Sequence, residues 1–137
     1  MTTLRHLRAE DRLPEEAKPP GGVLDTEELT GRWLATDHQA AGVVRLELSR
    51  RDGALFVRAF GANGAQPYDW GEIEAMPYGS SVVATEAMAF SAIYDFGFLV
   101  TILAAYAKQG ILVLDTFNTF TDSSGRSNYF SREFFHR

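Results

Sequence analysis

Residues 44–60, Val44-Arg45-Leu46-Glu47-Leu48-Ser49-Arg50-Arg51-Asp52-Gly53-Ala54-Leu55-Phe56-Val57-Arg58-Ala59-Phe60, decide the fold. Val44, Leu46 and Leu48 alternate with Arg45, Glu47 and Ser49. That is a period of two, the pattern of a strand with one buried face. Asp52-Gly53 then supplies the pair that a type I′ hairpin needs, because both of its central residues must take positive φ. Leu55 to Phe60 reads as the return strand, so the unit is an antiparallel hairpin.

Downstream the same grammar repeats. Residues 61–67 are a loop by composition. Glu72 to Met76 and Ser81 to Glu86 read as shorter strands around a turn at Pro77–Gly79. Phe90 to Tyr94 and Phe98 to Tyr106 follow, with Gly97 interrupting the chain between them. Lys108-Gln109-Gly110 is a tight turn, Ile111 to Phe120 a long strand, and Asp122-Ser123-Ser124-Gly125 a turn into a last strand, Ser127 to His136. The sum is eight or nine antiparallel strands, with turn signals roughly every 8–12 residues, which means a sandwich or a barrel. Residues 98–106 and 111–117 are apolar on both faces, whereas a sandwich of this size would alternate more cleanly. The expectation is therefore an all-β fold, a single antiparallel barrel. Something must also cover the outside of those doubly apolar strands, either the N-terminal segment or a dimer interface.

Upstream the composition changes. Residues 1–28 hold eleven charged side chains and three of the five prolines, while all seventeen aromatic residues lie between Trp33 and Phe135. The division is thus an N-terminal extension over 1–28 and a barrel domain over 29–137. The extension cannot bury enough apolar surface to fold alone. Leu4, Leu7 and Leu13 would share one face of a short helix, and Pro19-Pro20-Gly21-Gly22 reads as a linker. At 137 residues there is room for one core. A net charge of −5 argues against electrostatic binding to nucleic acid or an anionic membrane. No cysteine is present, which excludes disulfides, thiolate metal sites and cysteine nucleophiles. Without an apolar run near Met1 that would read as a signal peptide, the expected compartment is the cytoplasm.

Gly31-Arg32-Trp33 resembles the G-x-W signature of lipocalins and other calycins. The resemblance extends in strand layout over residues 31–137. It implies that Gly31 admits the bend into the barrel, that Trp33 plugs one end, and that an arginine near the chain's end, Arg132 or Arg137, packs across the indole. Asp69-Trp70-Gly71 and Ser124-Gly125-Arg126-Ser127-Asn128-Tyr129 are also similar to segments of small bacterial barrels that share the G-x-W start. The lipocalin disulfides and C-terminal helix have no counterpart here.

Such a family implies a pocket for a small hydrophobic or aromatic molecule, and eight strands leave an interior that is either filled by side chains or holds one small ligand. The residues expected to contact such a ligand are Phe56, Arg58, Trp70, Tyr94, Tyr106 and Phe117. A carboxyl or phenol embedded in apolar strands, Asp115 or Tyr94, would be the acid or base of a cofactor-independent cyclase or isomerase acting on a polyene or polyketide-like substrate. The same Asp115 could instead pair with Arg45, Arg58 or Arg132 for structure. Asp95 starts a turn before Gly97, and Glu72 and Glu74 form a solvated stripe. His6, His38 and His136 have no metal-ligand spacing, so neither metal nor cofactor is expected. Three functions follow: a binder of a small hydrophobic molecule, the cyclase or isomerase, and a solid barrel that acts as a homodimerising interaction module.

Overall fold

The computed structural model describes Glu10 and residues 24–137. Eight strands close into one barrel in sequence order, each antiparallel to its neighbours. They are β1 (Gly31–Ala35), β2 (Val43–Arg51), β3 (Ala54–Gly61), β4 (Tyr68–Tyr78), β5 (Ala89–Asp95), β6 (Leu99–Lys108), β7 (Ile111–Phe120) and β8 (Tyr129–His136). The expected helix over Leu4–Leu13 and the linker lie outside the described residues, whereas Leu24–Thr30 run against one end of the barrel. There Asp25 and the 84–88 loop exchange backbone hydrogen bonds, Asp25 N to Thr85 O at 2.9 Å and Ala87 N to Asp25 O at 2.8 Å.

The hairpins form where the sequence places them. Asp52 and Gly53 take φ of 52° and 81°, and Gln109 and Gly110 take 54° and 79°, the left-handed pairs that two-residue hairpins require. The region around Pro77 differs from the expectation. β4 runs straight through Pro77 to Tyr78, with Pro77 opposite Phe90. Residues 81–86 form no strand; they belong to a loop in which Val82 and Val83 are almost fully exposed. Their β-branched run looks like a strand, but among the described residues its one backbone pairing is the single bridge of Glu86 with Asp25, too short to make one.

Alternation sorts each strand into an inner and an outer face. Leu46, Leu48, Leu55, Val57, Ala59, Phe90, Ala92, Leu103, Ala105, Leu112, Leu114 and Phe135 point inward, each at most 5% exposed. A side chain without accessible surface borders no void large enough for water, so around this ring the interior is packed solid. Each such large side chain contributes about 1.5–3 kcal/mol of burial. On the outside, β2–β4 carry ion pairs: Arg45 with Glu47 at 3.4 Å, Arg58 with Asp69 at 3.6 Å, and Arg51 with Glu72. Among the described residues no helix is long and apolar enough to cross a membrane.

Every ladder of the barrel, and the segment that crosses its end, lies within residues 24–136. Deleting residues 1–22 is therefore expected to leave the barrel folded. Far-ultraviolet circular dichroism and the urea midpoint of the truncated chain check this; loss of the β-sheet signal, or precipitation, would place those residues in the core.

Candidate functional site

The two ends of the barrel are built differently. At one end Trp33 is 1% exposed. Its indole N–H donates to Leu29 O at 3.0 Å, and the guanidinium of Arg137 lies 4.4 Å from the centre of its ring. Arg137 also donates to Glu28 O, which ties the last residue to the segment before β1. The cation over Trp33 is thus that of Arg137. Arg132 is not part of this plug, because it lies one strand position off the inner face and points outward. Gly31 takes φ of 121°, a value that L side chains strongly disfavour.

At the other end the inner wall turns polar. Thr101 donates to Asn118 Oδ1 at 2.7 Å, Asn118 Nδ2 donates to Thr116 Oγ1 at 2.9 Å and to Tyr129 O at 3.3 Å, and Thr116 meets the Ser131 hydroxyl. Thr101, Thr116 and Asn118 are buried, so the network keeps otherwise orphaned groups paired inside the barrel. Sequence reasoning missed this wall, although the period of two from Leu112 puts Leu114, Thr116 and Asn118 on the same inner face.

Two seams of the wall are short, β1–β8, where only Leu34 and Ala35 pair with His136 and Phe135, and β4–β5. Only Met76–Tyr78 of β4 pair with Ala89–Ser91 of β5; beyond them the strands part. β4 also carries a bulge here, since Trp70 and Gly71 together oppose Ala59, between the pairs Arg58–Glu72 and Phe60–Asp69. Gly71 supplies the positive φ, 84°, that such a bulge uses. Three rings fill the gap. Tyr94 and Phe96 stack with centroids 5.6 Å apart, and the Trp70 indole sits edge-on to both, at 5.5 and 5.3 Å. Tyr94 is buried, while Trp70 and Phe96 are half-buried. The indole packs so closely on β3 that a Cβ added to Gly61 would lie 2.6 Å from Trp70 Nε1. Tyr94 Oη donates to Gly71 O at 2.7 Å and accepts from Ala59 N at 3.0 Å, so the phenol pins the bulge from inside. Burial pushes its pKa up, and the Ala59 N–H only partly offsets this.

Of the residues expected to meet a ligand, this site unites Trp70 and Tyr94. The others lie on the outer surface. Phe56 is covered by the Arg51 guanidinium at 4.2 Å, and Arg58 stands opposite Glu47 and Glu72. Tyr106 and Phe117 are exposed on β6 and β7. Asp115 faces outward too, in a two-pronged pair with Arg132: Nε to Oδ1 at 2.6 Å and Nη2 to Oδ2 at 3.0 Å. The carboxylate raises the pKa of that guanidinium. Phe96 is the member that sequence reasoning missed; its place just before the Gly97 turn was the only signal. Two surface grooves lie away from this gap. One, of about 530 Å³, runs past Trp33, Glu86 and Arg137; the other, of about 400 Å³, is bordered by Asp37, His38 and His136.

Comparison with models of protein families, with curated proteins and with solved structures gives no significant match.

Proposed function

We propose that this barrel binds a small aromatic or apolar molecule at the gap between β4 and β5, among Trp70, Tyr94 and Phe96. The observation that carries the reading is that rings, not ladder hydrogen bonds, close the wall there. An aromatic guest can replace ring–ring contacts with equivalent ones, each worth about 0.5–1.5 kcal/mol, whereas a hydrogen-bonded ladder offers no such exchange. The packed ring of leucines and phenylalanines below favours this level over the centre of the barrel. The mouths of barrels are also where ligand sites of this kind gather. The cyclase or isomerase alternative finds no support in its two acids, because Asp115 is paired outside and both hydrogen-bonding functions of the Tyr94 hydroxyl are engaged.

The test is a titration with 1-anilinonaphthalene-8-sulfonate, a flat aromatic probe, followed by indole fluorescence. Saturable binding of one probe per chain is expected, with quenching that disappears in Trp70→Phe and affinity that falls about tenfold in Phe96→Ala, one ring contact removed. Phe117→Asp, on the outer face, is expected to bind as the parent does. Absence of saturable binding, or binding lost in Phe117→Asp and retained in Phe96→Ala, overturns the reading.

A further inference from the structure

The outside of β5–β8 is unlike the outside of β2–β4. The register lines its residues up across the sheet. Ile93, Ile102, Phe117 and Phe130 form one row. The next runs Met76, Ser91, Ala104, Asp115, Arg132, and a third runs Tyr78, Ala89, Tyr106, Val113, Phe134. Ile93, Ile102, Tyr106, Ile111, Phe117, Phe130 and Phe134 are each 39–61% exposed. Singly exposed apolar side chains are ordinary, but seven in adjoining rows are a patch that marks an interaction site.

We infer that this face is where a second copy of the chain docks, giving a two-fold dimer. Three features favour a copy over other occupants. The first is area: seven large side chains exposing roughly half of their surface present on the order of 700 Å², close to the ~800 Å² per partner of a stable interface. The second is shape. On β7 and β8, Phe117, Phe130 and Phe134 stand proud, with Phe117 and Phe130 in tilted contact at 5.3 Å. On β5 and β6 the middle row drops to Ser91 and Ala104 and the third begins at Ala89, a hollow bordered by Ile93, Ile102 and Tyr106. A two-fold axis over the β6–β7 pair sets the ridge of each protomer into the hollow of the other, as a self-complementary patch requires. The third is charge. The ionised groups in the three rows, Asp115 and Arg132, are already joined to each other, so within these rows two copies bring together no unpaired charge to desolvate. A lipid surface fits less well, because the ion pairs on β2–β4 leave the other half of the wall in water and the chain carries a net charge of −5.

Sedimentation equilibrium of the full-length chain tests this. The parent is expected at twice the 15.2 kDa chain mass, and Phe117→Asp on the ridge is expected at the mass of one chain with unchanged circular dichroism. Ile93→Glu, at the edge of the hollow, gives the same readout should Phe117→Asp fail to fold. A parent that sediments as a monomer at every concentration overturns the inference, as do both variants remaining dimeric. A monomer that floats with phosphatidylcholine vesicles also overturns it and gives the face to a lipid surface. Since the probe site between β4 and β5 uses none of these side chains, the dimer and the ligand reading stand or fall separately.

Discussion

Trp33→Ala is expected to cost about 3–5 kcal/mol of stability, the range for emptying a large aromatic site in a core. The indole is 1% exposed, donates to Leu29 O, and is covered by Arg137. The approach to β1 and β1 itself meet on this ring with Arg137, about a hundred residues away in sequence. Alanine would leave a void that the surrounding strands, fixed by their ladders, cannot collapse to fill. Arg137→Gln removes the cation and its hydrogen bond to Glu28 O, and should cost about 1 kcal/mol at this exposed position. Urea unfolding of both variants measures the contrast. Because the plug is separate from the ring cluster at Trp70, probe affinity should persist in whatever fraction of Trp33→Ala remains folded. A loss of affinity at unchanged stability would instead place Trp33 in the binding site.

Tyr94→Phe is expected to destabilise by about 1–3 kcal/mol, because it leaves the Ala59 N–H and the Gly71 C=O without their buried partner. The same hydroxyl makes stability depend on pH. Burial raises the pKa of Tyr94 in the folded chain above the ordinary value of 10.0. Unfolded tyrosine therefore loses its proton first, and between the two values the unfolded state binds fewer protons than the folded one. Linkage then makes stability fall as pH rises. The contribution is complete below pH 10.0 and is lost through the folded pKa above it. Urea midpoints at neutral and alkaline pH check this: the decline on the alkaline side should be smaller in Tyr94→Phe than in the parent. Equal declines would show that the phenol does not titrate with folding.

The two residues illustrate what can be read from a linear chain. Trp33 is legible through the resemblance of Gly31-Arg32-Trp33 to the calycin G-x-W start, and the same resemblance offers Arg137 and Arg132 as the cation over its ring. Tyr94 stood out only as a polar group on an apolar strand, and its partners could not be guessed. One of them, Gly71, is reached only because β4 bulges at Trp70–Gly71, and a bulge changes which residues face inward without changing composition.

Local chemistry determined the architecture. The strict alternation at 44–49, the Asp52-Gly53 and Gln109-Gly110 turns, and the long apolar strands each act over a few residues, and hairpin after hairpin they leave little but a meander of antiparallel strands. Closure of the eight buries their inner face and leaves no open sheet edge, while the outer face of the doubly apolar strands stays exposed. Register decided the rest. A shift of one residue moves a side chain from the inner to the outer face, and registers are set by bulges and by where two ends of a sheet meet, which no short window of sequence contains. That is why Asp115 lies outside with Arg132, why Asn118 lies inside a polar network, why residues 81–86 pair, among the described residues, only with Asp25 and form no strand, and why Phe117 became part of a face and not of a cavity. The sequence determined by itself that this chain is a β-barrel with an excess of aromatic surface; only the closed barrel, by assigning each ring to the inside, the gap or the outside, decided where that surface is available to bind.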